Sequence, residues 1–589
     1  MKHAAAALAG AALLVSCLPA CAPRRPDTAR RGSARDVAPV DLGGVRRIGT
    51  SWLSEQKTDE TSAFPSGIFV GRFAGAPYDL GYSSGRLARP EIRSQEALLE
   101  ELFAVLVPGR LKRSLIRQLS AFRLRGLPDE IPEDLLVAIA GLADGYEPVP
   151  PPSGWNAYRR MLDMHALHDV SQRFVDAPAL AAACTGFLAT GGDGSLLLAR
   201  NFDFEGGDIF DRQKLVSVIV PADGIPYLSV GFAGMLGVVS GFNRAGIGVA
   251  INAIAGGETA ASGMPMTLLL AEVLARESTF EGAVARLGSA KVFVSDLILL
   301  GDAKTGRFAV VEKSPSAFAV RRAGTGATAY MGATNEPEDP AVRRGARALP
   351  RGSTSRKRRA RLEVLLRESR GSLDVPSAIA ILRDRKGADG RELGPGNRNA
   401  IDASIAAHSV VLDLTHRRAW VAASPHTLGS YLPVDLEAVL ASPGGPPARG
   451  TPFPADAWLS AEGYGRYLEA RAALGRVRRA ERERNSDWLD AAFREAERAH
   501  ERAPDFAEAT AKLGEMEARR GNRARARALL DDALAYDPGP VPLRAAIERW
   551  RAACAAGDAG QAGHAVPLPK EPIPTVPQPD ELLSEKGKR

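Results

Sequence analysis

Cysteine is scarce in this chain, four among 589 residues, at positions 17, 21, 184 and 554. The first two fall in a segment that reads as an export signal, and Cys184 and Cys554 lie far apart in stretches of different composition. A disulfide framework is therefore excluded, and the fold has to rest on its core. Long apolar runs are missing as well. The run from Ala4 to Val15 is too short to span a bilayer, and no other stretch reaches roughly 18 uninterrupted apolar residues, which leaves a lipid anchor as the expected means of membrane attachment. Zinc-finger spacings and aromatic RNA-binding motifs are also absent. The net charge of +7 comes mainly from arginine spread along the chain, with local runs at 343–361 and 476–484. It reads as solvated surface, and no nucleic-acid partner is expected.

What is present is ordinary globular composition, 45% hydrophobic and 25% charged, in a chain too long for one core. Residues 1–21 have the parts of a secretory signal: Lys2 and His3, the apolar stretch, then small residues before a cysteine. Leu-Val-Ser-Cys17 matches a bacterial lipobox better than Leu-Pro-Ala-Cys21, where proline takes the middle position. An exported, cell-envelope lipoprotein is the expectation, with a plain cleaved signal as the alternative. Residues 22–60, rich in Arg, Pro, Ser and Gly, read as a flexible tether.

Residues 61–183 read as a mostly helical pro-segment, opened by a short strand at 67–73 and the glycines Gly75, Gly81 and Gly85, which suit tight packing or turns. From 184 to 445 the pattern changes to short β-rich runs with hairpins near 244–246 and 408–422 and a helical insert near 265–287, which implies a layered α+β core. Residues 455–555 read as all-α. With Ala507 opening a 34-residue frame, Leu513, Gly514, Ala526, Leu530, Ala533 and Pro538 take the small and apolar positions of a tetratricopeptide repeat, and Ala492, Ala496, Ala499 and Pro504 match one period earlier. Such repeats would bind a protein partner or buttress the core. Residues 556–589 read as a disordered tail.

Cys184 is the candidate nucleophile. Arg200 follows it by 16 residues and Asp203 by 19. If the bond Ala183–Cys184 is cut, the freed α-amine, with a pKa of about 8, accepts the proton of a thiol with a pKa of about 8.5, and one residue supplies nucleophile and base. A cation such as Arg200 favours the thiolate, and a carboxylate such as Asp203 holds the ammonium. Three residues apart on a strand, the two face opposite sides, so a bulge or strand end has to bring both to the thiol. The alternative is an edge-strand ion pair. A papain-like Cys–His pair finds His165, His168, His408, His416 and His426 available but none in that family's local sequence. His165 and His168, at i and i+3, read as metal ligands or as packing and capping residues, and the second reading is the expectation; no metal or cofactor is assigned.

Cys184-Thr-Gly-Phe, Arg200-Asn-Phe-Asp203, Gly241-Phe-Asn243-Arg-Ala-Gly246, Ala333-Thr-Asn335 and Arg361-Leu-Glu-Val-Leu-Leu, in that order, resemble the isopenicillin-N acyltransferase-like family of N-terminal nucleophile hydrolases, over residues 67–440. The resemblance implies a four-layer αββα fold, self-cleavage before Cys184, an oxyanion donor at Asn335, and Asn252 as a further contributor. Ser355, Arg358 and Arg361 fit the family's Ser-x-x-Arg-x-x-Arg-Leu stretch, although the run Arg-Lys-Arg-Arg (356–359) leaves the register open and a solvated helix face is the ordinary alternative. Glu336-Pro337 stands where many relatives carry histidine. The implied substrate is a small acyl amide; the competing expectations are an inactive scaffold and a phospholipase B-like acyl hydrolase.

Overall fold

Runs of Val, Ile and Leu with period two build the two sheets on which this chain is organised. The computed structural model describes residues 25–26, 38–58, 67–147, 156–174, 184–204, 209–556 and 565–567, apart from residues 42, 108 and 325. Its strands are β1 (Val40–Asp41), β2 (Val45–Ile48), β3 (Ser51–Lys57), β4 (Gly67–Gly75), β5 (Thr185–Thr190), β6 (Leu196–Asp203), β7 (Lys214–Pro221), β8 (Tyr227–Phe232) and β9 (Ser240–Asn243). They continue with β10 (Ile247–Ala253), β11 (Asp296–Asp302), β12 (Arg307–Lys313), β13 (Phe318–Arg322), β14 (Tyr330–Ala333), β15 (Ala406–Asp413), β16 (Arg418–Ala422) and β17 (Tyr431–Asp435). The larger sheet runs β1-β2-β3-β4-β7-β8-β9-β10-β11-β12-β13, antiparallel except for the parallel pair β4–β7, and the smaller runs β14-β5-β6-β15-β16-β17.

The sheets pack face to face. Val216, Leu228, Phe242 and Leu297 of the larger meet Leu188, Leu198, Val410 and Leu412 of the smaller in one buried cluster. The other face of the larger sheet, Val249, Ile251 and Ile298 among it, is covered by α1 (Pro77–Leu87), α4 (Glu133–Tyr146), α5 (Ala157–His165), α7 (Met266–Arg276) and α8 (Phe280–Ser289). Between these in sequence lie α2 (Arg89–Leu106), α3 (Arg110–Arg123) and α6 (Leu167–Phe174). The outer face of the smaller sheet is covered by α9 (Thr354–Glu368) and α10 (Val375–Leu382), whose Leu362, Leu366 and Ile379 pack on Phe187, Leu197 and Val411. Helix, sheet, sheet, helix is the αββα order that the motifs implied.

The early glycines have a packing reason. An added Cβ at Gly81 would fall on the carbonyl oxygen of Ala138, one at Gly85 on that of Leu142, one at Gly141 on that of Tyr78 and one at Gly145 on that of Tyr82. α1 and α4 thus interlock backbone to backbone, a distance only glycine permits.

Two boundaries need correction. The tether expected over 22–60 contains β1, β2 and β3, and Trp52 and Leu53 are fully buried, one toward the smaller sheet and one toward the helices. The flanking Arg, Gly and Ser hid a short period-two pattern. Within the expected tail, Val566 is buried and its N–H donates to Glu515 Oε2 at 2.6 Å. Cys17, Cys21 and the rest of the signal, with the remainder of the tail, lie outside the described residues.

The C-terminal part is a run of five helices, α11 (Arg466–Glu483), α12 (Trp488–Arg502), α13 (Ala507–Arg519), α14 (Arg523–Ala535) and α15 (Val541–Ala556), packed largely through alanine. It is tied to the core by Asn397 Nδ2, which donates to the carbonyl of Tyr536 at 2.8 Å, and by Lys357 Nζ at 2.7 Å from Asp537 Oδ2.

Candidate active site

Cys184 immediately precedes β5, and Thr185 pairs with Asn201 of β6, which brings Cys184 alongside the Arg200–Asp203 end of that strand. Alternation then sorts the neighbours. Leu196, Leu198, Arg200 and Phe202 face the larger sheet; Leu197, Ala199 and Asn201 face α9 and α10, where Asn201 Nδ2 donates to the carbonyls of Leu382 and Ile401. Asp203 shares that second parity. The two charges do lie on opposite faces of the strand. β6 ends at Asp203, and its neighbour β15 is bulged there, Asp203 pairing with Ala406 and Phe202 with His408, so that Ala407 is the extra residue. A bulge is present, but it lies on the adjacent strand and leaves Arg200 and Asp203 on opposite faces of β6.

Arg200 is fully buried and its Nη2 lies 3.5 Å from Cys184 Sγ. Its other donors go to Asn252 Oδ1 at 3.2 Å, the carbonyl of Val239 at 3.0 Å, Ser240 Oγ at 2.9 Å and the carbonyl of Ile251, and its guanidinium stacks 4.4 Å above the Phe202 ring. Burial pushes the Cys184 thiol up; Arg200 and Arg358 pull it down, and Asp203 pushes it up further. Uncut, the residue is held as a thiol next to a cation.

Arg358 overturns the solvated-helix reading of the 356–359 run. It is buried, donates from Nη1 to the carbonyl of Cys184 at 2.6 Å and to Thr185 Oγ1 at 2.7 Å, and from Nη2 to Asn335 Oδ1 at 2.8 Å. Its neighbours on α9 behave differently: Arg356 pairs with Glu336, Arg359 with Glu363, and Arg361 with Asp384 at 2.7 Å. Helical spacing puts Arg358 three residues after Ser355, which is also buried and accepts the Asn335 backbone N–H at 3.0 Å.

The two asparagines are oriented by the two arginines. Arg200 holds Asn252 Oδ1 and Arg358 holds Asn335 Oδ1, which fixes both amide groups, since arginine only donates. Asn252 Nδ2 then donates to the carbonyl of Ala333 at 3.2 Å, and Asn335 Nδ2 to that of Ala253 at 2.9 Å. Two cross-linked loops result, each presenting an immobilised carboxamide.

Asp203 stands apart. It is buried, and neither carboxylate oxygen has a hydrogen-bond partner among the described residues. Burial raises its pKa to about 7, Arg358 opposing and Asp402 adding to the rise.

His408, 3.1 Å from Ser240 Oγ and 3.5 Å from Arg200 through Nε2, is pushed well below the ordinary imidazole range by burial and by the Arg200 and Lys214 charges. It stays neutral, and its Nε2 is turned to Ser240 and Arg200. His165 is saturated, contacting the carbonyl of Met161 through Nδ1 at 2.7 Å and accepting the Leu236 N–H on Nε2 at 2.8 Å, and burial lowers its pKa to about 4. His168 Nε2 sits 3.1 Å from Asp296 Oδ1. The packing reading of the 165/168 pair thus fits better than the metal reading.

Beside Cys184 lies an aromatic pocket of about 60 Å³ lined by Phe202, Phe204, Phe210, Phe232, Met164 and Gln95. Gln95 is buried, with both ends of its amide unpaired among the described residues. Sequence reasoning missed this pocket and Gln95, and named His408 only as one of five histidines available to a Cys–His pair; the Phe-x-Phe of 202–204 was the pocket's only local trace. Ala183, the expected cleavage partner, lies outside the described residues.

Part of the sandwich matches a known protein family. Residues 189–424 match the family model of acyl-coenzyme A:6-aminopenicillanic acid acyl-transferase. The match begins five residues after Cys184 and includes Arg200, Asp203, Asn252, Asn335 and Arg358. An uncharacterized protein of Archaeoglobus fulgidus is 28% identical over 281 residues, 44% of this chain and 45% of that protein, so the chain spans about half the length of that relative. The Caenorhabditis elegans N-acylethanolamine-hydrolyzing acid amidase ortholog is 18% identical with a TM-score of 0.31, covering 39% of this chain and 93% of that one. Conjugated bile acid hydrolase from Clostridium perfringens is 14% identical with a TM-score of 0.31, covering 46% and 96%. Part of the sandwich, residues 189–424, is thus similar to that acyl-transferase family.

Proposed function

We propose that this chain is a self-processing cysteine amidohydrolase or acyltransferase acting on small acyl amides. The observation that carries the reading is Asp203: a buried carboxylate without a partner, next to a thiol faced by Arg200 and a residue whose carbonyl is gripped by Arg358. An unpaired buried carboxylate is costly. The α-ammonium of Cys184, freed by cleavage after Ala183, is the cation that would complete it.

In the cleavage step Sγ attacks the carbonyl of Ala183, the Cys184 nitrogen leaves carrying the thiol proton, and water hydrolyses the resulting thioester, returning the thiol and leaving a carboxylate on Ala183. In turnover the α-amine takes the thiol proton and Sγ attacks the substrate amide carbonyl. The carboxamide of Asn335, with Asn252 behind it, stabilises the oxyanion, an interaction worth about 3 kcal/mol per donor. The leaving amine recovers the proton, and water or a second amine resolves the thioester. Arg358 keeps residue 184 in place throughout by the carbonyl on the side of the chain that stays attached. Export, lipidation at Cys17 or Cys21 and a protein partner for the C-terminal helices belong to the same reading, supported by the sequence of those segments.

Amino-terminal analysis of the purified protein is the test: two fragments, one beginning at Cys184, are expected. Cys184→Ala is expected to give one intact chain without amidase activity. A Cys184→Ala chain still cut between 183 and 184 would refute self-processing.

A further inference from the structure

We propose that α3 is a docking helix for an anionic lipid surface. Among the described residues, six of the eight exposed large apolar side chains fall between Val105 and Phe122, the other two being Val40 and Phe318. Leu111, Leu115, Leu119 and Phe122 recur at i, i+4, i+8 and i+11, one stripe of α3, with Ile116 at its margin; Leu111 is 88% exposed. None of the described residues covers this stripe.

The charge of the segment says what would. Residues 102–128 contain six Arg or Lys, at 110, 112, 113, 117, 123 and 125, and no Asp or Glu. Arg117 reaches back to Glu100 of α2, while Arg113 and Arg125 donate to the carbonyls of Val107 and Phe122. Leucine and phenylalanine on one face with cations around it is the composition of a helix that lies in the headgroup region of an anionic bilayer. A second copy of the chain fits worse, because a two-fold contact through α3 would set one cationic segment against another. The lipid anchor expected from the first residues would be a separate attachment; this one is built into the folded domain. Through α2, whose Leu98 and Leu102 pack with Cys184, Phe202 and Phe210, docking would also lay the wall of the aromatic pocket close to the lipid, a consequence that rests on the site reading above.

Hydrogen exchange of the full chain, followed peptide by peptide, tests the docking without any need for catalysis. With vesicles of phosphatidylglycerol and phosphatidylcholine, protection is expected to rise in peptides covering 107–125, to be weak with phosphatidylcholine alone, and to fall in high salt. Leu115→Ser with Leu119→Ser, both at exposed positions, should raise the lipid concentration for half-protection by about tenfold or more. Lys112→Glu should raise it about 25-fold on the anionic vesicles, roughly fivefold for each unit of charge, and leave the neutral ones unchanged. Unaltered exchange of 107–125 in the presence of anionic vesicles would overturn the proposal. So would lipid-independent protection that grows with protein concentration alongside a dimer in light scattering, which would make a second copy the occupant.

Discussion

In the C-terminal helices Lys512 is fully buried, and its ammonium meets Glu515 at 2.7 Å and Glu481 at 3.1 Å, joining α13 to α11. In the sandwich Asp203 is as deeply buried and its carboxylate meets no hydrogen-bond donor among the described residues. The first cluster has satisfied its desolvation cost internally and has nothing left to offer a ligand. The second has not, and it sits where a chain cut before residue 184 would present a new cation. Burial alone separates neither case from the other; the state of the partner does.

The comparison breaks most visibly at Asp203. Asp203→Asn keeps the shape and removes the charge, and is expected to lower kcat/KM by about a thousandfold, or about 4 kcal/mol of transition-state stabilisation. The same change should stabilise the uncut precursor. Burial lifts this carboxylate to about 7, against about 3.9 in an unfolded chain. The folded chain therefore holds the extra proton between those values, and stability is lost as pH rises from about 4 to about 7, reaching about 4 kcal/mol above that window. Denaturant melts of Cys184→Ala across pH 4–8, with and without Asp203→Asn, should show a shallower slope in the double variant, the remainder coming from groups such as Asp169, which burial also lifts to about 7. An unchanged slope would mean that Asp203 already has its partner in the precursor.

Lys512→Met is expected to act with the opposite sign. It leaves Glu515 and Glu481 without their shared cation and should cost the C-terminal helices about 3–5 kcal/mol, read as an early unfolding transition, while amidase activity at low temperature is retained. Loss of activity with an unchanged melt would give the helical part a place in the chemistry.

How much of this was legible in the sequence follows from the range of each signal. The β-rich texture after residue 184 and the hairpins near 244–246 and 408–422 were legible because in strands such as β6 or β10 alternate side chains enter different cores. β2 and β3 escaped because their apolar residues are interrupted by Arg46, Arg47, Ser54 and Glu55, and only the pairing of β3 with β4, and of β2 with β3, brings them into the sheet. The spacing of Cys184, Arg200 and Asp203 pointed to a strand irregularity, but it could not say that the bulge belongs to β15, more than 200 residues away. Arg358 was legible as a motif position and illegible as a buried group, since its three arginine and lysine neighbours on α9 all turn outward and only the rotation of the helix distinguishes it. The pocket around Gln95 is assembled from α2, α5, β6 and β8 and has no local signal at all.

The smallest effect tests the seam between the two regions. Lys357, next to Arg358 on α9, reaches Asp537 beyond α14, and Asp537 also receives Arg544, so the helical part touches the element that grips Cys184. Lys357 is nearly half exposed, and a pair of that kind contributes less than about 1 kcal/mol. The backbone carbonyl of Asp537 is held independently by Asn399 Nδ2 at 2.7 Å. Lys357→Ala should therefore shift the melting temperature by no more than a degree or two and leave kcat and KM within about twofold. A fall in kcat with KM and melting unchanged would show that the ion pair tunes the position of Arg358, and the C-terminal helices would then act on the site itself.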